Sequence, residues 1–222
     1  MTRLLFANTD QIIELMSLQS LCRSLPDSYL KKALRYHQKQ DAYNFVLGRL
    51  LLQKAYALLF DAAILDWDLL YFNASGKPLL DDCFFSISHS NNIVAIAFNP
   101  IVQVGLDVEF SQQLNKKHFK HCFDANEWKL IQLDETMHTF FRYWTQKEAI
   151  LKTLGLALNA LEDIQVQDSS TAKYQPIQQA PTPVFTKAMP FAIPELYACL
   201  CSTEVSGVSY NTIEDLTEQF LV

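Results

Sequence analysis

Val104-Gly105-Leu106-Asp107-Val108-Glu109-Phe110 alternates apolar with small or acidic residues. On a strand, successive side chains point to opposite faces. Val104, Leu106 and Val108 therefore share one side, and Gly105, Asp107 and Glu109 share the other. Two residues of strand rise separate the acidic positions by roughly 7 Å, so both carboxylates can converge on one hard cation. Neighbouring carboxylates repel, and a half-buried pair requires a counter-charge. A solvated strand face would explain D-x-E on its own. Gly105 adds room for a backbone or a ligand to approach closely.

A third acid lies on a helix expected over about 135–154, which ends at Gly155, a suitable left-handed C′ residue. Met137, Phe141, Trp144, Leu151 and Leu154 form its inward stripe, and Glu148 interrupts it. Trp144, Glu148 and Lys152 follow at steps of four and project from one side. A solvated Glu148–Lys152 pair is the plain alternative. An acid set in an aromatic and aliphatic stripe calls for a partner, and a metal shared with Asp107 and Glu109 would supply one. Magnesium suits three carboxylates better than zinc, because it prefers oxygen ligands and keeps waters that phosphates can replace. Lys152 would then face a bound phosphate. His118, His121 and Cys122 form the one candidate zinc grouping, and they read as surface helix or loop.

Upstream, residues 27–60 are expected to be helical, most strongly over Asp41–Phe60, where Phe45, Leu47, Leu51, Leu52, Ala55 and Leu58 keep helical spacing. A strand is expected over Trp67–Phe72, followed by a turn at Asn73-Ala74-Ser75-Gly76-Lys77-Pro78. Residues 83–88 and 93–98 read as a hairpin about His89-Ser90-Asn91-Asn92. Ser86, Ser88, His89 and Ser90, with Lys77 on its stiff turn, offer an anion-binding side opposite the acids. A shorter helix falls at about 124–133. Strand-like runs near 161–167 and 195–202 flank a Pro- and Gln-rich connection at 174–183. The order suggests two α+β halves meeting near residue 103, each a helix against a small sheet.

The 222 residues are half hydrophobic and carry a formal net charge of -6, which suits a packed core. An acidic chain without an extended basic face is not built to displace counterions from nucleic acid. No secretory leader or membrane-spanning run is evident, so a soluble, cytoplasmic protein is expected. Five cysteines with no C-x-x-C pair read as reduced thiols. Only five glycines, and no G-x-x-x-x-G-K-[ST] loop, argue against a P-loop phosphotransferase.

Val104–Glu109 followed by Trp144-Thr145-Gln146-Lys147-Glu148-Ala149-Ile150-Leu151-Lys152 resembles the paired signature of the 4′-phosphopantetheinyl transferases. Gly76-Lys77-Pro78, Phe85-Ser86-Ile87-Ser88-His89-Ser90 and Phe123-Asp124-Ala125-Asn126-Glu127-Trp128 match further motifs of the Sfp-type branch, in order, over about residues 40–155. The resemblance implies a monomeric pseudo-dimer of two similar α+β halves, residues 1–102 and 103–222, with the active site in the cleft between them. It implies coenzyme A as donor, an acyl or peptidyl carrier-protein serine as acceptor and adenosine 3′,5′-bisphosphate as the product released. Carried over position by position, Asp107, Glu109 and Glu148 would bind magnesium, and Glu148 would also help deprotonate the serine. Lys152 would contact the pyrophosphate. Ser88 and His89 would hold the 3′-phosphoadenosine end, with Gly76, Lys77 and Pro78 lining the adenine side and Ser86 among the coenzyme-binding residues.

The match departs at Gln40, where many members carry a basic residue; Lys39 and Arg49 are the nearby cations. A non-catalytic binding module of the same fold is the rival reading. It would be expected to have lost a metal ligand or the lysine, and this chain retains all four. Phe119, Phe123 and Trp128 are candidates for a carrier-docking surface or for ordinary packing.

Overall fold

A computed structural model describes residues 1–166, 170–174 and 182–221. Strand β1 (Thr2–Asn8) leads through short helices α1 (Thr9–Leu15), α2 (Leu18–Leu21) and α3 (Asp27–Ala33) to the long helix α4 (Lys39–Leu59). A two-strand ribbon, β2 (Tyr71–Phe72) and β3 (Pro78–Leu79), precedes the hairpin β4 (Phe84–Ser90) and β5 (Ile93–Asn99). Strand β6 (Val104–Phe110), helices α5 (Ala125–Leu133) and α6 (His138–Leu154), then β7 (Ile164–Val166), β8 (Thr171–Tyr174), β9 (Thr182–Ala188), β10 (Leu196–Ser202) and β11 (Tyr210–Asp215) complete the order.

The strands form two main sheets, ordered β11-β1-β5-β4 and β6-β10-β9-β8-β7. Every pairing is antiparallel except β1 with β11, which is parallel. Helix α4 lays Val46, Leu47, Leu50 and Leu51 on Val94, Ile96 and Phe98 of the first sheet. Helix α6 lays Ala149, Ile150 and Leu151 on Cys199 and Cys201 of the second. The far faces share a third core, in which Leu4, Ala95 and Ala97 meet Val104, Leu106, Val108 and Leu200. Burial on this scale, at about 25 cal/mol per Å² of apolar surface, holds the two sheets as one body.

The sheets meet at strands β4 and β6, and the joint is made by side chains. Ser86, Ser88 and Ser90 point at β6, where their Oγ atoms accept the backbone N–H groups of Leu106 (3.0 Å), Val108 (3.2 Å) and Phe110 (3.0 Å). A strand edge buried without such partners would leave each N–H at a cost of about 1–3 kcal/mol. Alternation at period 2 along β4 thus matches alternation along β6.

The α+β class and the helix–sheet packing follow the sequence expectations, with local corrections. Trp67–Leu69 is a 3₁₀ turn, and only Tyr71–Phe72 pairs as strand, because the Asp66 side chain accepts the Asp68 N–H and favours the turn. Helix α6 begins at His138, three residues late, since the Asp134 carboxylate takes the N–H groups of Thr136 and Thr139. Residues 158–163 are 3₁₀, and the strand that follows is limited to Ile164–Val166 among the described residues. The 174–183 connection lies, apart from its ends, outside the described residues. The sequence pattern marks none of β1, β8, β9 and β11, and the helix expected over 27–60 is two, α3 and α4, parted by the turn at 34–38. All five cysteines are free and buried.

Gly105 decides how closely α6 can lie on β6. A Cβ there would sit 2.1 Å from the Ala149 carbonyl oxygen and 2.5 Å from the Thr153 nitrogen. Gly105→Ala is therefore expected to push the helix off the sheet. The loss is about 1–3 kcal/mol, read as a fall of several degrees in melting temperature by circular dichroism.

Candidate active site

Asp107 points from β6 toward α6 and is 3% exposed. Its Oδ1 accepts from Lys152 Nζ at 2.7 Å and from the Ser88 hydroxyl at 2.9 Å. Lys152 also donates to Ser88 Oγ at 2.8 Å, so Ser88 is saturated by Lys152, the Val108 N–H and Asp107. Asp107 Oδ2 is buried with no hydrogen-bond partner. Two residues on, Glu109 Oε2 accepts from the Ser90 hydroxyl at 2.9 Å.

The strand alternation and the helical spacing bring the third acid to the same place. Desolvation, then the negative charges of Asp107 and Glu109, push the Glu148 carboxyl up to about 7, against the lowering effect of Lys152. Glu109 is raised by desolvation and by Asp107, and Ser90, Lys152 and Trp144 oppose the rise. Three acids with one bonded cation, Lys152, make a centre short of positive charge.

A cavity of about 1050 Å³ opens beside this centre. Asp41, Arg49, Lys77, His89, Glu148 and Lys152 line it. Gly76, Pro78 and Ser86 also reach its wall, while Ser88, Asp107 and Glu109 stand behind it. Ser86 and Ser88 are thus engaged chiefly in the joint between the sheets, and their hydroxyls face β6. His89, which alternates with them, turns toward the cavity. Its imidazole is held below its usual value by desolvation and by the Lys152 ammonium, and is neutral at pH 7. Burial holds the Lys77 ammonium down to about 8.

Gln40 binds Thr9 and Asn44 (3.0 Å) and does not line the cavity. Lys39 donates to the Ile13 carbonyl at 3.2 Å, away from it. Arg49 does reach it, lying 4.8 Å over the Phe45 ring with its Nε buried and unpartnered. Phe123 and Trp128 are buried in the second core, and Phe119 packs edge-on to Phe140 and Trp144. His118 and His121 are exposed on a 3₁₀ segment, Lys116–Cys122.

One positioning group escaped the sequence reading. Lys147 is fully buried, and its ammonium pairs with Glu127 at 2.8 Å and donates to the Cys122 and Ile164 carbonyls, each at 2.8 Å. Glu127 also accepts the N–H groups of Asp124 (2.9 Å) and Val166 (3.1 Å). This network anchors α6 to α5 and β7 one residue before Glu148. Lys147 falls on the stripe Phe140, Tyr143, Lys147, Ile150, Leu154, and a lysine there was the available signal.

The orphaned Asp107 oxygen and the two proton-seeking glutamates fit an oxygen-loving cation. Among the described residues no group of three His, Cys, Asp or Glu is placed to hold a metal by itself. A magnesium ion bound there would keep waters that ligand phosphates can replace, so the acids would supply only part of its shell.

The acidic centre thus lies beside a large cavity whose wall carries the cations Arg49, Lys77 and Lys152. A family profile described as the 4′-phosphopantetheinyl transferase superfamily matches residues 103–193. The chain is 30% identical over 177 residues to the 4′-phosphopantetheinyl transferase HetI of a Nostoc species, covering 74% of this chain and 73% of that protein. It is 28% identical to the 4′-phosphopantetheinyl transferase gsp of Aneurinibacillus migulanus, over 100% of this chain and 94% of that one. To the 4′-phosphopantetheinyl transferase Sfp of Bacillus subtilis it is 28% identical, over 58% and 59%. The chain belongs to the 4′-phosphopantetheinyl transferases, in their Sfp-type branch.

Glu148 holds a proton more tightly in the fold than in the unfolded chain, whose carboxyl titrates near 4.5. Without metal, the fold therefore loses stability as pH rises from about 4.5 through about 7. Glu148→Gln removes that loss. In chelator at pH 8 the variant is expected to melt a few degrees above the parent, on the order of 1 kcal/mol, and at pH 4.5 the gain is expected to vanish.

Proposed function

We propose that the protein transfers the 4′-phosphopantetheine group of coenzyme A to a serine of an apo carrier protein, in a magnesium-dependent reaction. The observation that carries this is that Glu148 and Lys152, the latter paired with Asp107 behind the wall, line a cavity large enough for a dinucleotide-sized donor. All four groups whose loss would mark a binding-only module are present.

Asp107, Glu109 and Glu148 would hold the magnesium ion, which when bound draws charge from the donor pyrophosphate. Lys152, now paired with Asp107, would add a second positive charge to the pyrophosphate. Lys77 and Arg49, on the cavity wall, supply cations for the nucleotide end, and His89 supplies a neutral imidazole as hydrogen-bonding partner. Gly76 and Pro78, on the same wall, would line the adenine. Glu148 is the proposed base: it takes the proton of the acceptor serine directly or through water. The serine oxygen then bonds to the phosphorus bearing pantetheine, and the bond from that phosphorus to the oxygen of the departing adenosine 3′,5′-bisphosphate breaks.

Donor-side groups come from residues before 103 and acid groups from residues after it, which supports a cleft between two α+β halves. Strand β11 is the exception, since it returns to the first sheet. A single chain supplies every group named, which supports action as a monomer. No described helix is long and apolar enough to cross a membrane.

With coenzyme A and magnesium, an apo acyl or peptidyl carrier is expected to gain the mass of one phosphopantetheine group in intact-mass spectrometry, and EDTA to abolish the gain. An unchanged mass across a panel of carriers would overturn the reading. Glu148→Gln is expected to cut turnover at least ~100-fold with an unchanged circular dichroism spectrum.

A further inference from the structure

The turn between β2 and β3 packs on the end of α6 beside the cavity, and one side chain organises it. Asn73 Oδ1 accepts from the Ser75 N–H (3.1 Å), the Ser75 hydroxyl (2.9 Å) and the Lys77 N–H (2.9 Å). Its Nδ2 donates outward, to the Gly155 carbonyl at 3.1 Å. The Ser75 hydroxyl lies 2.8 Å from the same carbonyl, so its single hydrogen is shared between Asn73 Oδ1 and Gly155, and the Lys77 ammonium donates to the Lys152 carbonyl.

These carbonyls belong to the last turn of α6 and its C′ residue, which lack intrahelical partners. The turn thus satisfies the end of the helix that carries Glu148 and Lys152. Gly155 is part of the fit: its φ is +67°, and a Cβ there would lie 2.8 Å from Asn73 Nδ2. Ser75, Gly76, Lys77 and Pro78 of the turn and Gly155 of the helix end all line the cavity. Asn73 does not line it.

We propose that Asn73 is a positioning residue: it moulds the 73–78 turn and, with Ser75, latches it to Gly155, so that the latch sets affinity for the nucleotide end of the donor. This rests on the transferase reading for the identity of that donor. Asn73 touches no reacting group, so the latch acts on binding and leaves the transfer step alone. A loosened turn lets its cavity-facing residues drift, and the donor then spends binding free energy on ordering them. Gly155 is accordingly a packing partner of the asparagine as well as a helix terminator.

Asn73→Asp keeps an acceptor for the turn and removes the outward donor; Ser75→Ala removes the second donor. Each is expected to raise the KM for coenzyme A about twofold to tenfold, the worth of one hydrogen bond, with kcat within twofold of the parent. The dissociation constant for adenosine 3′,5′-bisphosphate, measured by calorimetry, should rise by the same factor. The double variant should lose less than the product of the two factors, because both donors share one acceptor. A KM and dissociation constant unchanged in both variants would overturn the latch, as would a fall in kcat at constant KM. Calorimetry uses no carrier protein. A parent that binds the nucleotide but modifies no carrier would sink the transferase reading alone, and the latch would be judged by the binding constants of the variants.

Discussion

Three serine hydroxyls joining two sheet edges are the constraint on which the rest of the site depends. Ser86, Ser88 and Ser90 take the outward N–H groups of β6, the strand that carries both acids. A continuous backbone ladder between β4 and β6 would have placed carbonyls at these points, with no hydroxyl hydrogens to give. A hydroxyl accepts the N–H and still donates, and Ser88 and Ser90 donate to the carboxylates of Asp107 and Glu109. The joint that holds the two sheets together therefore also orients the acids.

Charge organises the other side of the centre. Asp107 is almost fully buried, which is tolerable because Lys152 and Ser88 satisfy one oxygen. The other oxygen is left over, and Glu109 and Glu148 hold their protons more tightly than free carboxyls do. In a fold selected for stability alone, such a cluster would be costly. A bound cation would remove the repulsion, and this links the pH behaviour of the acids to the chemistry proposed for them. Helix α6 must lie within backbone contact of β6 for any of this to occur. Gly105 permits that approach, and the buried Lys147–Glu127 pair fixes the helix from behind.

Much of this was legible in the chain. Strand alternation placed Asp107 and Glu109 on one face, and the i,i+4 spacing placed Glu148 and Lys152 on one side of a helix. Gly105 signalled close approach, and the approaching body is the α6 backbone. The serines were visible as a set of polar residues at period 2, but their direction was not. Expected on an anion-binding side, Ser86 and Ser88 also accept N–H groups of β6, and of the two only Ser86 reaches the cavity wall with His89. Local pattern says that alternate residues differ in environment; it does not say which environment lies on which side.

The sequence by itself determined the elements with strong periodicity, the identity of the acids and the family to which their spacing belongs. Those properties depend on neighbours a few residues apart, where helix and strand geometry alone dictate direction. Tertiary structure decided what depends on partners far along the chain. It paired β1 with β11 across some two hundred residues, buried Lys147 against Glu127 and laid the Asn73 turn on the end of α6. Each of these is a polar group or strand edge whose partner is chosen by packing, and no local spacing encodes that choice.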